Sequence, residues 1–286
     1  MNYLNLGCGS RFHPDWTNVD FVSTSEGVIA HNLNEGIPFS DSSFDVIYHS
    51  HVLEHFSKQE AELFLRECYR VLRPQGFLRV VVPDLEQIVR IYLTALEKAS
   101  DGSLEWDFNY EWIFLEMYDQ TVRNQPGGEM ANYLYRKDLP NQQFVLERLG
   151  REANNLIEAA KKESQGTNVV NKEDKIEKIL KNIFRFLRYP KYRRELLLKG
   201  ILGKEYNFLQ LGRFRQSGEI HQWMYDRYSL AMLLKKCGME NIVQRTATES
   251  YIANWHTFNL DTEPDGTVYK PDSLFMEAIK PSGSTI

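Results

Sequence analysis

The segment Leu4-Asn5-Leu6-Gly7-Cys8-Gly9 constrains the fold of this chain more than any other. A short apolar run closing on two glycines one residue apart reads as a buried strand and a tight turn. The missing Cβ atoms there let the backbone approach a ligand. Eleven residues after Gly9 stands Asp20, at the end of a second strand predicted over Trp16–Phe21. An acid in that place can accept both hydroxyls of a ribose. The dinucleotide version of the pattern needs a third glycine where Phe12 stands, and an acid about 20 residues on. A nicotinamide enzyme is therefore disfavoured. Tyr133 and Lys137 form a YxxxK pair of the kind seen in some dehydrogenases, but a chain with 15 Tyr produces such a pair by chance and it carries no weight.

Short apolar runs continue at Asp45–His49 and Phe77–Val82. Between them Ala61, Phe64, Leu65, Cys68, Tyr69 and Leu72 recur at spacings of three and four, predicting a helix over Lys58–Leu72 that Pro74 and Gly76 end. That alternation is the rhythm of a parallel sheet with crossover helices. From about Ile88 to Gly212 the pattern is helical, including the polar stretch around Gln165–Lys175. It then returns to a helix over Tyr225–Cys237 and strands over Ile242–Thr246 and Leu274–Ile279. With 286 residues the chain suits one large domain or two small ones. The expected division is a core of residues 1–94 and 218–286, split by a helical insertion over 95–217.

Composition excludes whole classes. A hydrophobic fraction of 42% with 26% charged residues is that of a globular chain rather than a disordered or fibrous one. No apolar run approaches the ~20 residues of a membrane span, and residues 1–9 lack the pattern of a signal peptide, so a cytoplasmic location is expected. Three scattered cysteines, Cys8, Cys68 and Cys237, argue against a disulfide framework and against a zinc knuckle. The net charge of −5 speaks against a nucleic-acid coat, yet residues 151–215 hold sixteen Lys or Arg against eight Asp or Glu. Within them Ile176, Ile179, Leu180, Ile183, Phe184 and Leu187 form an apolar stripe flanked by Lys175, Lys178, Lys181, Arg185 and Arg188. Such a helix packs one face and solvates the other, or lies on an anionic lipid or membrane surface. RNA is the least supported partner, since no recognition motif accompanies the charge.

Several motifs in order resemble class I S-adenosylmethionine-dependent methyltransferases of the type 11-like group. They are LNLGCG, then NVD, Ile37-Pro38-Phe39, Ser43-Phe44-Asp45-Val46-Ile47, Val52-Leu53-Glu54-His55, and Tyr69-Arg70-Val71-Leu72-Arg73-Pro74-Gln75-Gly76-Phe77. The resemblance covers residues 1 to about 94 and the end from about 218. It implies an α/β fold with a Rossmann-like seven-stranded sheet, its last strand reversed, and the long helical insertion between strand 5 and the C-terminal strands. It also implies that Gly7, Cys8 and Gly9 wrap the methionine end of S-adenosylmethionine, that Asp20 holds the ribose, and that His49 and Ser50 line the sulfonium. Asn32, beside Leu33, stands where many relatives carry Asp next to the adenine. Its oxygen can still accept from the amino group but brings no charge.

Methyl transfer is an in-line displacement at a carbon activated by positive sulfur. The protein must align the acceptor and, for a hydroxyl, remove its proton. Three candidate bases stand out: His221, Asp84 and His55. His221 comes first, because it precedes the returning helix and has Trp223 and Tyr225 beside it, flat faces that could shape an acceptor pocket. Plainer roles stand beside each. His221 and Trp223 could pack the insertion on the core, Asp84 could cap the helix after it, and His55 could pack or cap. His51 and His55 sit four apart, but without a clearly placed carboxylate no metal is expected. The function so read is methyl transfer to an oxygen of a small molecule or glycan. Aminopropyl transfer is disfavoured for lack of acidic residues, and the rival from another class is a cofactor-binding or membrane-peripheral adaptor of this fold without turnover.

Overall fold

A computed structural model describes residues 1–151, 153–158 and 175–283. The part of the expected helical stretch that runs from Gln165 to Asp174 lies outside the described residues, as do the side chains of Ile176, Ile179 and Leu180 in the proposed stripe.

Seven strands make one sheet: β1 (Tyr3–Leu6), β2 (Thr17–Asp20), β3 (Val28–Ala30), β4 (Phe44–Ser50), β5 (Leu72–Pro83), β6 (Glu240–Arg245) and β7 (Ser273–Ile279), in the spatial order β3-β2-β1-β4-β5-β7-β6. The first five are parallel, and β7 runs antiparallel to both β5 and β6, which is the reversed last strand. Order reverses between β2 and β4 on either side of β1. Crevices for ligands form at such a switch point, beyond the carboxyl ends of the strands. The sequence pattern missed β3, whose three residues leave Ile29 and Ala30 exposed and show no apolar alternation.

Helix α1 (Lys58–Val71) starts on a reciprocal cap: Ser57 Oγ accepts from Glu60 N at 3.3 Å, and Glu60 Oε2 accepts from Ser57 N at 3.0 Å. It ends one residue earlier than its periodicity suggests, because Leu72 already pairs with Phe44 and opens β5. The buried face Ala61, Phe64, Leu65, Cys68 and Val71 joins Leu230 and Leu234 of the later helix Arg227–Lys236 on one side of the sheet. On the other side the β6–β7 connection packs Ile252, Trp255 and Leu260 against Trp16, Val46 and Tyr48. Buried Arg79 fastens that connection. It donates to Asp261 Oδ2 at 2.8 Å, to Glu277 Oε1 at 2.8 Å, and to the carbonyls of Thr246 and Glu249.

Between β5 and β6 the described residues contain helices and no strand. Helix α2 (Leu85–Ser100) packs Ile88 and Ala95 on Ile113 of α3 (Leu104–Val122). Trp112 of α3 sits in a second cluster with Met130, Tyr133 and Leu134 of α4 (Gly128–Leu134) and Val145 of α5 (Gln142–Leu149). These helices stand over the carboxyl end of β5 and wall one side of the crevices described next.

Candidate active site

The turn after β1 has the left-handed backbone that its glycines allow, with φ of +64° at Gly7 and +53° at Gly9. A Cβ on Gly7 would stand 2.3 Å from Val52 Cγ2, so a side chain here must displace Val52. The Gly9 amide donates to Asp20 Oδ2 at 2.7 Å, and the Gly7 and Cys8 amides donate to the Val19 carbonyl at 2.8 and 3.2 Å. The turn is thus tied to the end of β2, as the two motifs together require. Burial, followed by the charge of Asp20, pushes the Cys8 thiol up to about 11, which rules it out as a nucleophile.

Three cavities converge here. The largest, about 470 Å³, is lined by Gly7, Asp20, Asn32, Leu33, His51 and His55 among others. A second of about 210 Å³ has Gly7, Cys8, Gly9, Ser50 and His51 on its walls. A third, about 250 Å³, lies under α4 and takes His51, Arg123, Met130, Leu134, Lys270 and Asp272. His51 is common to all three. Its backbone sits in the left-handed region at φ +54°, directly past β4, and its amide donates to the Val81 carbonyl at 2.9 Å. The ring is held at both ends: Nδ1 lies 3.2 Å from Glu54 Oε1, and Nε2 lies 2.9 Å from Ser273 Oγ. Nδ1 thus stands beside the carboxylate as an ion-pair contact, and Nε2 is within hydrogen-bond reach of the Ser273 hydroxyl. Burial works against ionisation of Glu54, but the close approach of His51 overrides it and holds the carboxyl below its usual range.

Of the residues singled out in the sequence, Gly7, Cys8, Gly9, Asp20, Asn32, Leu33, Ser50 and His55 line these cavities. Asn32 also caps the 3-10 turn after it, Oδ1 accepting from Asn34 N at 3.2 Å and Nδ2 donating to Glu35 Oε1 at 3.1 Å. Its side chain is therefore engaged inside the chain.

The remaining candidates lie elsewhere. His221 lines none of the three cavities and is buried, its ring edge-on to His55 at 4.9 Å between centroids. Burial lowers its pKa to about 3 although Glu54 opposes the shift. The segment is pulled inward because His221 N donates to Gln120 O at 3.0 Å and Gln222 N to Glu54 O at 2.7 Å. Asp84 is the N-cap of α2, accepting from Gln87 N at 3.2 Å, and lines none of the three cavities. His49 is fully buried on β4, edge-on to Phe64, with neither ring nitrogen hydrogen-bonded. Trp223 and Tyr225 line a separate groove with Lys58, Met232 and Lys236, and Lys58 Nζ lies 4.5 Å from the Trp223 ring centre. His51 went unassigned as a functional residue, although its place one residue past a central parallel strand is a recurrent ligand position.

Residues 4–80 match the family model described as a methyltransferase domain. A probable S-adenosylmethionine-dependent methyltransferase of Mycobacterium tuberculosis is 34% identical over 99 residues, covering 28% of this chain and 35% of that protein. Another from Mycolicibacterium smegmatis is 32% identical over 99 residues, covering 28% and 37%. The chain thus spans about a third of the length of these relatives. A solved structure of a SAM-dependent methyltransferase from Archaeoglobus fulgidus aligns with 98% of this chain and 86% of its own, at 10% identity and a TM-score of 0.37.

Proposed function

We propose that this chain, which over residues 4–80 belongs to the methyltransferase family, binds S-adenosylmethionine and moves its methyl group to an oxygen of a small-molecule or glycan acceptor. The observation that carries the reading is the position of His51, on the wall of the Gly7–Asp20 cleft and of the cavity under α4 at once. The ribose would lie on Asp20, the adenine beside Leu33 and Asn32, and the methionine end in the smaller cavity at Gly7–Gly9 and Ser50. An acceptor under α4 would meet Met130 and Leu134 on one side and Arg123, Lys270 and Asp272 on the other, which suits a molecule with an apolar part and an anionic group.

In this arrangement the base is His51 rather than His221. Nε2, released from the Ser273 hydroxyl, would take the acceptor's hydroxyl proton while Glu54 stabilises the positive ring, and S-adenosylmethionine, when bound, would supply an activated methyl group for the freed oxygen. The test is calorimetry with S-adenosylmethionine, followed by a methyl-transfer assay on glycan and small-molecule extracts. Wild type is expected to bind and to transfer. His51→Ala is expected to bind with nearly unchanged affinity and to lose on the order of 10²–10⁴ in turnover. Binding without transfer in wild type would favour the adaptor reading, and full turnover in His51→Ala would remove this residue from the mechanism.

The acceptor would be reached at a membrane surface. Helices Lys175–Arg188 and Pro190–Leu202 expose Ile183, Phe184, Leu187, Leu197 and Ile201 beside exposed Arg185, Arg188 and Arg194, a mixture that suits anionic lipid headgroups over a bilayer edge. No helix among the described residues is long and apolar enough to cross a membrane. Sedimentation with anionic vesicles should pellet wild type and leave Phe184→Glu with Leu187→Glu in solution; equal pelleting would reject the contact.

A further inference from the structure

Next to His51 lies a group of donors that the sequence did not join, of which the mechanism above uses Glu54 alone. Glu54 and His55 belong to the 3-10 turn Leu53–His55 that follows β4, and His221 comes from the segment leading into the helix Arg227–Lys236. One ligand atom from each of the three lies within 4.8 Å of the others. Glu54 is fully buried, its approach to His51 is too poorly aligned for a hydrogen bond, and neither of its oxygens has a hydrogen-bond partner. Nδ1 of buried His221 has none either. Buried polar atoms are nearly always satisfied, so unpaired carboxylate oxygens facing two imidazoles point to a missing ligand.

From this geometry we infer that Glu54, His55 and His221 bind one divalent transition-metal ion. His55 is prepared for it: Nδ1 donates to the Ile220 carbonyl at 3.2 Å, which fixes the tautomer and leaves the Nε2 lone pair free. A backbone carbonyl on the far nitrogen is the usual support of a metal-bound imidazole. The turn and the incoming segment are locked in register, Gln222 N and Trp223 N donating to Glu54 O and Gln222 Nε2 to His55 O, so the ligands share one rigid frame. Tetrahedral bonds of about 2.1 Å put the ligand atoms of one ion roughly 3.4 Å apart. The present spread of up to 4.8 Å is wider by roughly 1.4 Å, so the two imidazoles must turn toward the carboxylate to close on an ion. Two imidazoles and one carboxylate select zinc or iron(II) over magnesium or calcium. Three protein ligands leave a coordination position for an oxygen donor, on the side of the cleft that His55 lines.

The test uses the full chain, stripped with chelator and titrated with zinc chloride alone in the absence of cofactor. Wild type should bind one equivalent, and an anomalous peak should lie between the three side chains in zinc-soaked crystals. His55→Asn and His221→Asn should each weaken binding at least 100-fold, and Glu54→Gln should do the same while preserving shape. His256→Ala, at an exposed histidine, should keep the full equivalent. Failure of wild type to bind zinc or cobalt(II), or unchanged binding in all three ligand variants, would overturn the site. Calorimetry with S-adenosylmethionine on the stripped protein reads the cofactor cleft separately, so either result stands without the other.

Discussion

The Gly9 amide donates to the Asp20 carboxylate at 2.7 Å, joining the turn after β1 to the end of β2. One carboxylate oxygen is occupied by this bond, and the other, Oδ1, meets only the Val22 amide at 3.4 Å. Asp20 therefore shapes the turn and still presents an acceptor to the cleft.

Asp20→Ala should weaken S-adenosylmethionine binding by roughly 10- to 100-fold, since a hydrogen bond to a charged group contributes about 1.5–3 kcal/mol. Asp20→Asn, which keeps an acceptor for Gly9, should fall between that variant and wild type. Calorimetry reads both, and unchanged affinity in Asp20→Ala would place the ribose elsewhere.

At Gly7 the backbone and the space argue separately. A left-handed φ costs a non-glycine residue roughly 1–2 kcal/mol, and the overlap with Val52 adds a comparable amount. Gly7→Ala should lower unfolding free energy by about 2–4 kcal/mol. Gly9→Ala, whose Cβ meets nothing within 4 Å, should cost only the roughly 1–2 kcal/mol of the left-handed backbone. Adding Val52→Ala to Gly7→Ala should return the overlap part and leave the strain. Equal losses at Gly7 and Gly9 in denaturant titrations would contradict the contact.

The difference between what was legible and what was not follows from range along the chain. Gly7, Gly9 and Asp20 act within fourteen residues, and their side-chain types announce the backbone they need. Likewise the cap Ser57–Glu60 and the buried face of α1 follow from local spacing. The surroundings of His221 and Trp223 were not legible, because a histidine among aromatics looks the same whether it opens on a cavity or is drawn beneath one. Only the long-range bonds from His221 N to Gln120 O and from Gln222 N to Glu54 O decide between the two. The role of His51 arises from three cavities meeting at a left-handed residue, and no periodicity encodes such a meeting. The buried Arg79 network was equally invisible, since its acids come from the β6–β7 connection and β7, about 180 to 200 residues away.

His49 should make the fold sensitive to acid. Burial lowers its pKa to about 4 from an ordinary 6.5, so between those values the unfolded chain takes up a proton that the folded chain refuses. Stability then rises with pH, and the contribution is lost as pH falls from about 6.5 to about 4, on the order of 3 kcal/mol in all. Below about 4 both states are protonated and this dependence ends. His49→Gln should show a correspondingly shallower loss between pH 7 and 4 in chemical denaturation. Parallel curves for the two proteins would mean that the imidazole accepts its proton in place.

Arg79 should be the most costly single truncation in the sheet. Its guanidinium is fully buried between Asp261 and Glu277, lies 4.6 Å from the Trp255 ring centre, and satisfies two carbonyls of the β6–β7 connection besides. Arg79→Met leaves buried Asp261 without a cation and Glu277 with Arg245 alone, a loss of about 3–5 kcal/mol where one partner of a buried pair is removed. Burial already raises the Asp261 carboxyl, with Arg79 and the Tyr48 hydroxyl as the opposing influences, so without the guanidinium Asp261 should take up a proton and the variant should be less impaired at acid pH. Arg79→Lys should not rescue, because one ammonium cannot span both carboxylates and both carbonyls in a planar fork. Neutralising the acids together, as Arg79→Met with Asp261→Asn and Glu277→Gln, should recover part of the loss, since it removes the unpaired buried charge and leaves the missing hydrogen bonds and the lost Arg245–Glu277 pair. Thermal and denaturant unfolding of the four proteins distinguishes this from simple loss of volume, under which the triple variant would be no more stable than Arg79→Met.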